Sequence, residues 1–296
     1  MRALLNVWWQ ACRPKTLSAA VVPVAIGSAS AAVAGGFSPW VMLSTLGFAL
    51  CVQVTCNFAN DLGDFVRGAD TPARLGPVRA VASGKVSARA MRFAVGAGVA
   101  LAFFAGLPLV FWVAWWLVAV GVLCLLACLA YTAGPFPLAY RGWGDVFVVV
   151  FFGFVAVLFS AYVQCGSFPA AAWVGGLGCG LLATNILIVN NARDMETDAL
   201  AGKRTTVVRF GRGFARRVYA GNLALALLAV GLLPVFGMGR GSLLPLLLGP
   251  LALRLGAGFW NAREARACGS WLGRTAAFLL AYGATFVLGL WLGQRL

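Results

Sequence analysis

Histidine is absent from this sequence, and acidic side chains are scarce: eight Asp and Glu stand against 23 Lys and Arg. Without histidine there is no ordinary imidazole general base, no histidine-ligated haem or iron, and no His-containing zinc site. The eight cysteines, at positions 12, 51, 56, 124, 128, 165, 179 and 268, form no CxxC pair, and most sit inside apolar runs. They read as small buried hydrophobes, not as a metal or disulfide framework. Charge of either sign is thin as well, at 10% of residues against 61% hydrophobic and a mean hydropathy of +0.90. A soluble globular domain carries about a quarter charged residues. The composition is that of an all-α integral membrane protein.

Nine apolar runs are near the length of roughly twenty residues needed to cross a bilayer. They are Leu17 to Ala34, Trp40 to Asn60, Phe93 to Leu107, Val110 to Tyr131, Val146 to Val163, Ala170 to Asn190, Tyr219 to Val235, Leu243 to Trp260 and Thr275 to Gly293. The third is short unless it extends back through Arg92, and the eighth carries Pro245, Pro250 and Arg254. Membrane helices tolerate such prolines better than soluble ones. Leu17 to Ala34 is long enough to span and is followed at once by a second run, which argues against a cleaved signal peptide. No linker divides the chain, so residues 1–296 read as a single domain with a weak internal repeat of helices 1–4 on helices 5–8.

A net charge of +15 would suit a nucleic-acid binder, but its placement points elsewhere. Outside the runs, only Arg240 and Arg295 depart from the N-terminus and alternate loops. The positive-inside rule then puts the N-terminus and those loops in the cytoplasm and the C-terminus outside. All eight acidic residues fall on the same side, so the polar chemistry of the chain belongs there.

Two stretches concentrate it. Asn57 to Arg79, NFANDLGDFVRGADTPARLGPVR, closes the second run and brings Asp61, Asp64 and Asp70 together with Arg67, Arg74 and Arg79. Asn190 to Arg204, NNARDMETDALAGKR, closes the sixth. Asn60 and Asp64 recur as Asn190 and Asp194, and the second series continues to Asp198. Steps of four residues place each set on one helix face. Like charges crowded together cost free energy unless a cation compensates them.

Taken singly, either stretch is a solvated loop; the repetition favours a site. Carboxylates with amides, and no imidazole or thiolate, suit a hard cation such as Mg²⁺, which is usually held by one or two carboxylates with substrate phosphates completing its shell. The interspersed bases suit phosphate oxygens. A ligand with a diphosphate head and a long apolar tail fits both the charges and the bilayer. Asp145 reads as a helix N-cap, Asp61 as either ligand or neighbour, and Lys85, Arg89 and Arg92 as membrane-surface charges. The basic Arg13-Pro14-Lys15 segment reads equally as a membrane anchor or a ligand contact.

The paired motifs resemble those of the UbiA superfamily of intramembrane prenyltransferases, over nearly the whole chain. RPKTL, NFANDLGDFVRGAD with RLGPVRAVASG, YTAGPFPLAYRGWGDVFVVVFFG and NNARDMETDALAGKRTTVVRFG are most similar to the branch that prenylates 1,4-dihydroxy-2-naphthoate in menaquinone synthesis. The resemblance implies Mg²⁺ held by Asp64, Asp70, Asp194 and Asp198. Asn60, Arg74, Asn190, Arg193 and Lys203 would then assist at the diphosphate of a polyprenyl donor. Gly68 stands where many members carry aspartate, and Ala73 precedes Arg74 where that branch often has an acidic residue, so a carboxylate supporting Arg74 is missing. The implied reaction ionises the allylic diphosphate, lets the naphthoate ring attack, and loses CO₂ from the attacked position. Acceptors such as 4-hydroxybenzoate, homogentisate or a chlorin are the alternative within the superfamily. A cation carrier is the alternative outside it, although a carrier's charges belong near the bilayer midplane. Isoprenoid length and oligomeric state are not legible.

Overall fold

The computed structural model describes residues 2–70, 75–77 and 79–294. The chain enters through α1 (Arg2–Ala11), whose Trp8 packs edge-on against Phe58 at 5.5 Å. Arg13 then adopts a left-handed backbone (φ 51°), and a 3₁₀ turn, Pro14–Thr16, redirects the chain into α2 (Ser18–Val33). The two legs meet at 47°. Next come α3 (Pro39–Val66), opened by a proline that needs no amide partner there, and α4 (Ala88–Trp112), capped by Ser87 Oγ accepting from Ala90 N at 3.1 Å. The shorter α5 (Leu117–Ala130) follows.

The fifth apolar run is one continuous span built from α6 (Gly144–Val148), a π-helical stretch at Val149–Val155, and α7 (Ala156–Cys165). Beyond it lie α8 (Ala170–Leu200), α9 (Thr206–Val230), α10 (Gly249–Asn261) behind a proline-bearing 3₁₀ stretch, α11 (Ala265–Ser270) and α12 (Leu272–Gly293). Among the described residues, seven helices or continuous helical stretches are long and apolar enough to cross a membrane. The bent pair Leu4–Thr16 with Ser18–Val33 and the shorter α5 account for the remaining two of the nine expected runs. The chain is a multi-pass membrane protein.

Boundaries moved where charge had been taken as the end of a span. The second and sixth runs do not stop at Asn60 and Asn190 but stay helical to Val66 and Leu200, carrying Asp61 and Asp64 of the first motif and all of the second on helix, while Asp70 follows in the loop. The third run does extend back through Arg92, to Ala88, while the fourth starts later than expected, because α4 continues to Trp112 before α5 begins at Leu117.

At the centre lies α8, most of whose apolar length is buried. Its small residues permit very close contact with the π-helical stretch: a Cβ on Gly153 would fall 2.6 Å from Gly176 O, so the two backbones touch directly. By contrast α4 is lipid-like on most of its surface, with Phe93, Phe104 and Phe111 at least two-thirds exposed or nearly so. Trp40, Trp112 and Trp115 are also exposed and cluster by sequence at the end opposite the motifs, as an interfacial aromatic belt would.

Candidate active site at the paired aspartate motifs

The first motif is the last third of α3. Asn57, Asn60, Asp61 and Asp64 follow at helical steps, and each faces a different partner. Asn57 Nδ2 donates to Cys12 O (2.9 Å) and Thr16 Oγ1 (3.3 Å), pinning the left-handed turn at Arg13. Asn60 Oδ1 accepts from Thr132 Oγ1 at 2.9 Å. The buried carboxylate of Asp61 accepts from the backbone amides of Ala80 (2.9 Å) and Val81 (3.1 Å). That settles its role in the fold: it fastens the returning loop to α3.

Asp64 is the hub. Its Oδ2 receives Arg79 Nη2 at 2.9 Å, and its Oδ1 receives both the Tyr140 hydroxyl at 2.9 Å and Lys203 Nζ at 3.0 Å. Asp70 Oδ1 lies 3.6 Å from Arg79 Nε, so one guanidinium spans both aspartates. Burial, then the Asp64 carboxylate, push the Tyr140 hydroxyl well above its usual range, which keeps it a donor. The ring of Tyr140 lies between Arg67 (5.2 Å) and Lys203 (4.9 Å). Arg67 in turn donates to the carbonyls of Thr132 and Gly134, at 3.4 and 2.6 Å, and ties the loop after α5 to the end of α3.

The second motif presents Asn190, Asp194 and Asp198 along one face of α8. Arg193 holds Asp194 through both nitrogens of its fork, at 2.7 and 2.6 Å, and both residues are buried. A Cβ on Gly269 would fall 2.7 Å from Arg193 Cδ, so α11 can come this close only with glycine there. After α8 the chain turns at Gly202 (φ 72°) and sends Lys203 back, Nζ 3.4 Å from Asp198 Oδ1. Lys203 therefore touches both motifs.

Asn60, Asp64, Asn190, Arg193, Asp194, Asp198 and Lys203 all line one cavity of about 340 Å³. Arg13, Lys15 and Arg79 add positive charge to its wall. Beside it, an apolar cavity of about 190 Å³ lies between α3, α4, α5 and the π-bearing span, lined by Phe48, Phe147, Phe151 and Phe159 among others. Tyr131, on the wall of the first, contacts Phe147 (5.3 Å), which stacks on Phe151 (4.4 Å) in the second, so an aromatic ladder links the two. The π-helical turn shifts the register of this helix partway along the ladder, a device common at functional sites.

Of the residues expected at the site, Asp70 reaches it through Arg79 and Arg74 lies outside the described residues. Arg79, set behind Arg74 in the sequence reading, is the arginine that grips the first motif. Tyr140 carries no signal of its own in the sequence: no spacing in LAYRGWGD marks its hydroxyl as a partner for Asp64. The N-cap reading of Asp145 is corrected. Trp143 occupies the cap position, and Asp145 lies inside the first turn of α6 with its Oδ2 accepting from Thr206 Oγ1 (2.5 Å). No three carboxylate, thiol or imidazole groups converge closely enough among the described residues to share a metal as they stand. The motif aspartates engage Arg79, Arg193 and Lys203 instead.

Comparison with known proteins points one way. The model of the UbiA prenyltransferase family matches residues 20–282. The 1,4-dihydroxy-2-naphthoate octaprenyltransferase of Escherichia coli K12 is 36% identical over 296 residues, covering 98% of this chain and 96% of its own. The enzyme of that name from Mycobacterium tuberculosis H37Rv is 40% identical over 222 residues, 74% of this chain and 75% of its own. Among solved structures, a UbiA homolog from Aeropyrum pernix K1 superposes with a TM-score of 0.71 at 16% identity, covering 94% of this chain and 98% of that one. A homolog from Archaeoglobus fulgidus bound to DMAPP and Mg²⁺ gives 0.62 at 18% identity, again over 94% and 98%. Both structural likenesses speak to the fold alone. With the family matched from α2 into α12, this chain belongs to the UbiA prenyltransferase family.

Proposed function

We propose that the protein transfers a polyprenyl group from its diphosphate to 1,4-dihydroxy-2-naphthoate, with loss of CO₂ and diphosphate, giving the demethylmenaquinone skeleton. The observation that carries this is the bridge made by Lys203 between Asp64 on α3 and Asp198 on α8, in a polar cavity that adjoins an apolar one. The names of relatives 36–40% identical support the choice of acceptor.

The donor set suits Mg²⁺. Asp64, Asp70, Asp194 and Asp198 offer hard carboxylate oxygens, and Asn60 and Asn190 offer amides, with no soft ligand on the cavity wall. Bound there, Mg²⁺ supplies Lewis-acid charge for a departing diphosphate. Arg79, Arg193 and Lys203 supply fixed positive charge for the remaining phosphate oxygens. The Tyr140 hydroxyl holds Asp64 in orientation. The Tyr131–Phe147–Phe151 ladder gives an allylic cation aromatic faces along the path of the tail. We place the cavity mouth on the cytoplasmic side, from the distribution of basic residues.

Product analysis by mass spectrometry tests this, using detergent-purified protein, Mg²⁺, an allylic prenyl diphosphate and either 1,4-dihydroxy-2-naphthoate or 4-hydroxybenzoate. A decarboxylated prenyl-naphthoquinone that disappears on chelation is the expected product. Prenyl-hydroxybenzoate in its place would move the protein to another branch of the family. Failure to bind the diphosphate at all would overturn the enzymatic reading.

A further inference from the structure

Seven of the eight acidic side chains have an evident occupation or lie in solvent. Asp64, Asp70, Asp194, Glu196 and Asp198 are ion-paired, Asp61 holds two backbone amides, and Glu264 is exposed. Asp145 is the exception. It is half-buried on the wall of the polar cavity, and among the described residues no lysine or arginine forms an ion pair with it. Thr206 donates to Oδ2, and Oδ1 makes no hydrogen bond among those residues. A carboxylate turned toward a substrate cavity without a cation is a proton acceptor by its chemistry, whereas the paired aspartates have the opposite character.

Its neighbours fit a ring. Tyr131 borders this corner: a Cβ on Gly144, the residue before Asp145, would fall 3.1 Å from its hydroxyl. Leu187 of α8 and Leu272 of α12 supply apolar wall in the same cavity. The other charged groups on this wall are Asp64, Asp194 and Asp198 with their partners Arg79, Arg193 and Lys203, together with Asp61, Arg13 and Lys15. Arg209, from the helix that carries Thr206, is held away on Arg141 O at 2.7 Å.

We infer that Asp145 is the catalytic base that takes the proton from a ring hydroxyl of the aromatic acceptor. This rests on the prenyl transfer proposed above. The O–H proton passes to Asp145 Oδ1 and leaves an aryl oxide. The bond from the allylic carbon to the diphosphate oxygen breaks, its electron pair leaving with diphosphate, and the ring carbon bearing the carboxylate bonds to the allylic cation so formed. Release of CO₂ returns the electron pair of the C–CO₂ bond to the ring, and the oxygen recovers its proton from Asp145. The proton is borrowed and returned, so no external acid or base is consumed.

Asp145→Asn preserves an oxygen for Thr206 and removes only the basicity. Turnover should fall by about 10²–10⁴-fold, the usual contribution of a positioned base, with Mg²⁺-dependent binding of prenyl diphosphate unchanged. The residual rate should climb about tenfold per pH unit as the acceptor ionises in solution, while the parent rate stays flat over that range. A second measurement needs no variant: a naphthoate whose ring hydroxyls are methylated should not be turned over by the unmodified protein. Full activity of Asp145→Asn at neutral pH, or ready prenylation of the methyl ether, would overturn the inference. Absence of any prenyl-naphthoquinone from the unmodified protein would instead overturn the proposed function.

Discussion

Lys203 Nζ sits 3.0 Å from Asp64 Oδ1 and 3.4 Å from Asp198 Oδ1, so a single ammonium joins two helices that are far apart in sequence. Asp64 and Asp198 share this contact because Gly202 takes a left-handed turn that sends the chain back over the end of α8. Lys203→Met should therefore lower kcat/KM for the prenyl diphosphate by about 10²–10⁴-fold, since a desolvated charge partner is worth roughly 3–5 kcal/mol when truncated. Lys203→Arg should restore part of it. Steady-state kinetics with varied diphosphate, beside a thermal melt, separates the lost contact from lost stability.

Substituting either hub carboxylate, by Asp64→Asn or Asp194→Asn, should abolish Mg²⁺-dependent binding of the diphosphate and reduce turnover by at least about 10³-fold. Chelation of the unmodified protein should reproduce the effect. Calorimetric titration of the prenyl diphosphate with and without Mg²⁺ reads this directly.

Asp61, three residues before Asp64, should behave quite differently from Asp64 or Asp194. Its oxygens hold the amides of Ala80 and Val81, and hydrogen bonds to a charged group contribute about 1.5–3 kcal/mol. Asp61→Ala should lower the thermal midpoint by several degrees and loosen the loop that carries Arg79. Asp61→Asn, which keeps one acceptor, should recover more than half of the activity. Equal loss of Mg²⁺ binding in Asp61→Asn and Asp64→Asn would show that the loop-fastening role is incomplete.

Tyr140→Phe keeps the ring between Arg67 and Lys203 but removes the donor to Asp64. A rise of about 10-fold to 100-fold in KM for the diphosphate is expected, as for loss of one hydrogen bond to a charged group. Because burial and Asp64 hold the hydroxyl far above its ordinary value, it stays protonated. This contact should therefore add no pH dependence between neutrality and pH 9, and a KM–pH profile of the two proteins should run parallel there.

Gly153→Ala should damage the fold more than the chemistry. The added methyl would meet Gly176 O at 2.6 Å, with Gly180 Cα at 2.8 Å, and neither backbone atom has room to retreat. A cost of about 1–3 kcal/mol is expected for such overpacking. Thermal stability in detergent should fall while residual enzyme keeps its KM.

Much of this was legible beforehand because apolar length and charge placement are one-dimensional signals. All nine runs have helices, and the steps of four that set Asn190, Asp194 and Asp198 on one face survive intact in α8. What sequence hid is what depends on chain return. Asp61 and Asp64 are three residues apart and equally acidic, yet Ala80 and Val81 come back to the one while Arg79 and Lys203 come back to the other. Tyr140 sits in the loop after α5 and Asp145 in the first turn of α6, and both are positioned by partners remote in sequence, Arg67 holding that loop and Thr206 the carboxylate. Helix ends were misplaced for a related reason: buried carboxylates with partners do not need a loop, so α3 and α8 carry their charge beyond the apolar stretch.

One wall of the apolar cavity is α5, only fourteen residues long. At 1.5 Å per residue it reaches about 21 Å, against a hydrocarbon core of about 30 Å. Phe103, Val118 and Val122, on the cavity wall, are also exposed on the flank of the molecule. Lipid tails beside this helix must shorten or tilt to meet it, at a cost that grows with each ångström of mismatch. Passage of a long isoprenoid past this flank then becomes sensitive to the acyl-chain length of the host bilayer, and the membrane itself acts as a parameter of turnover.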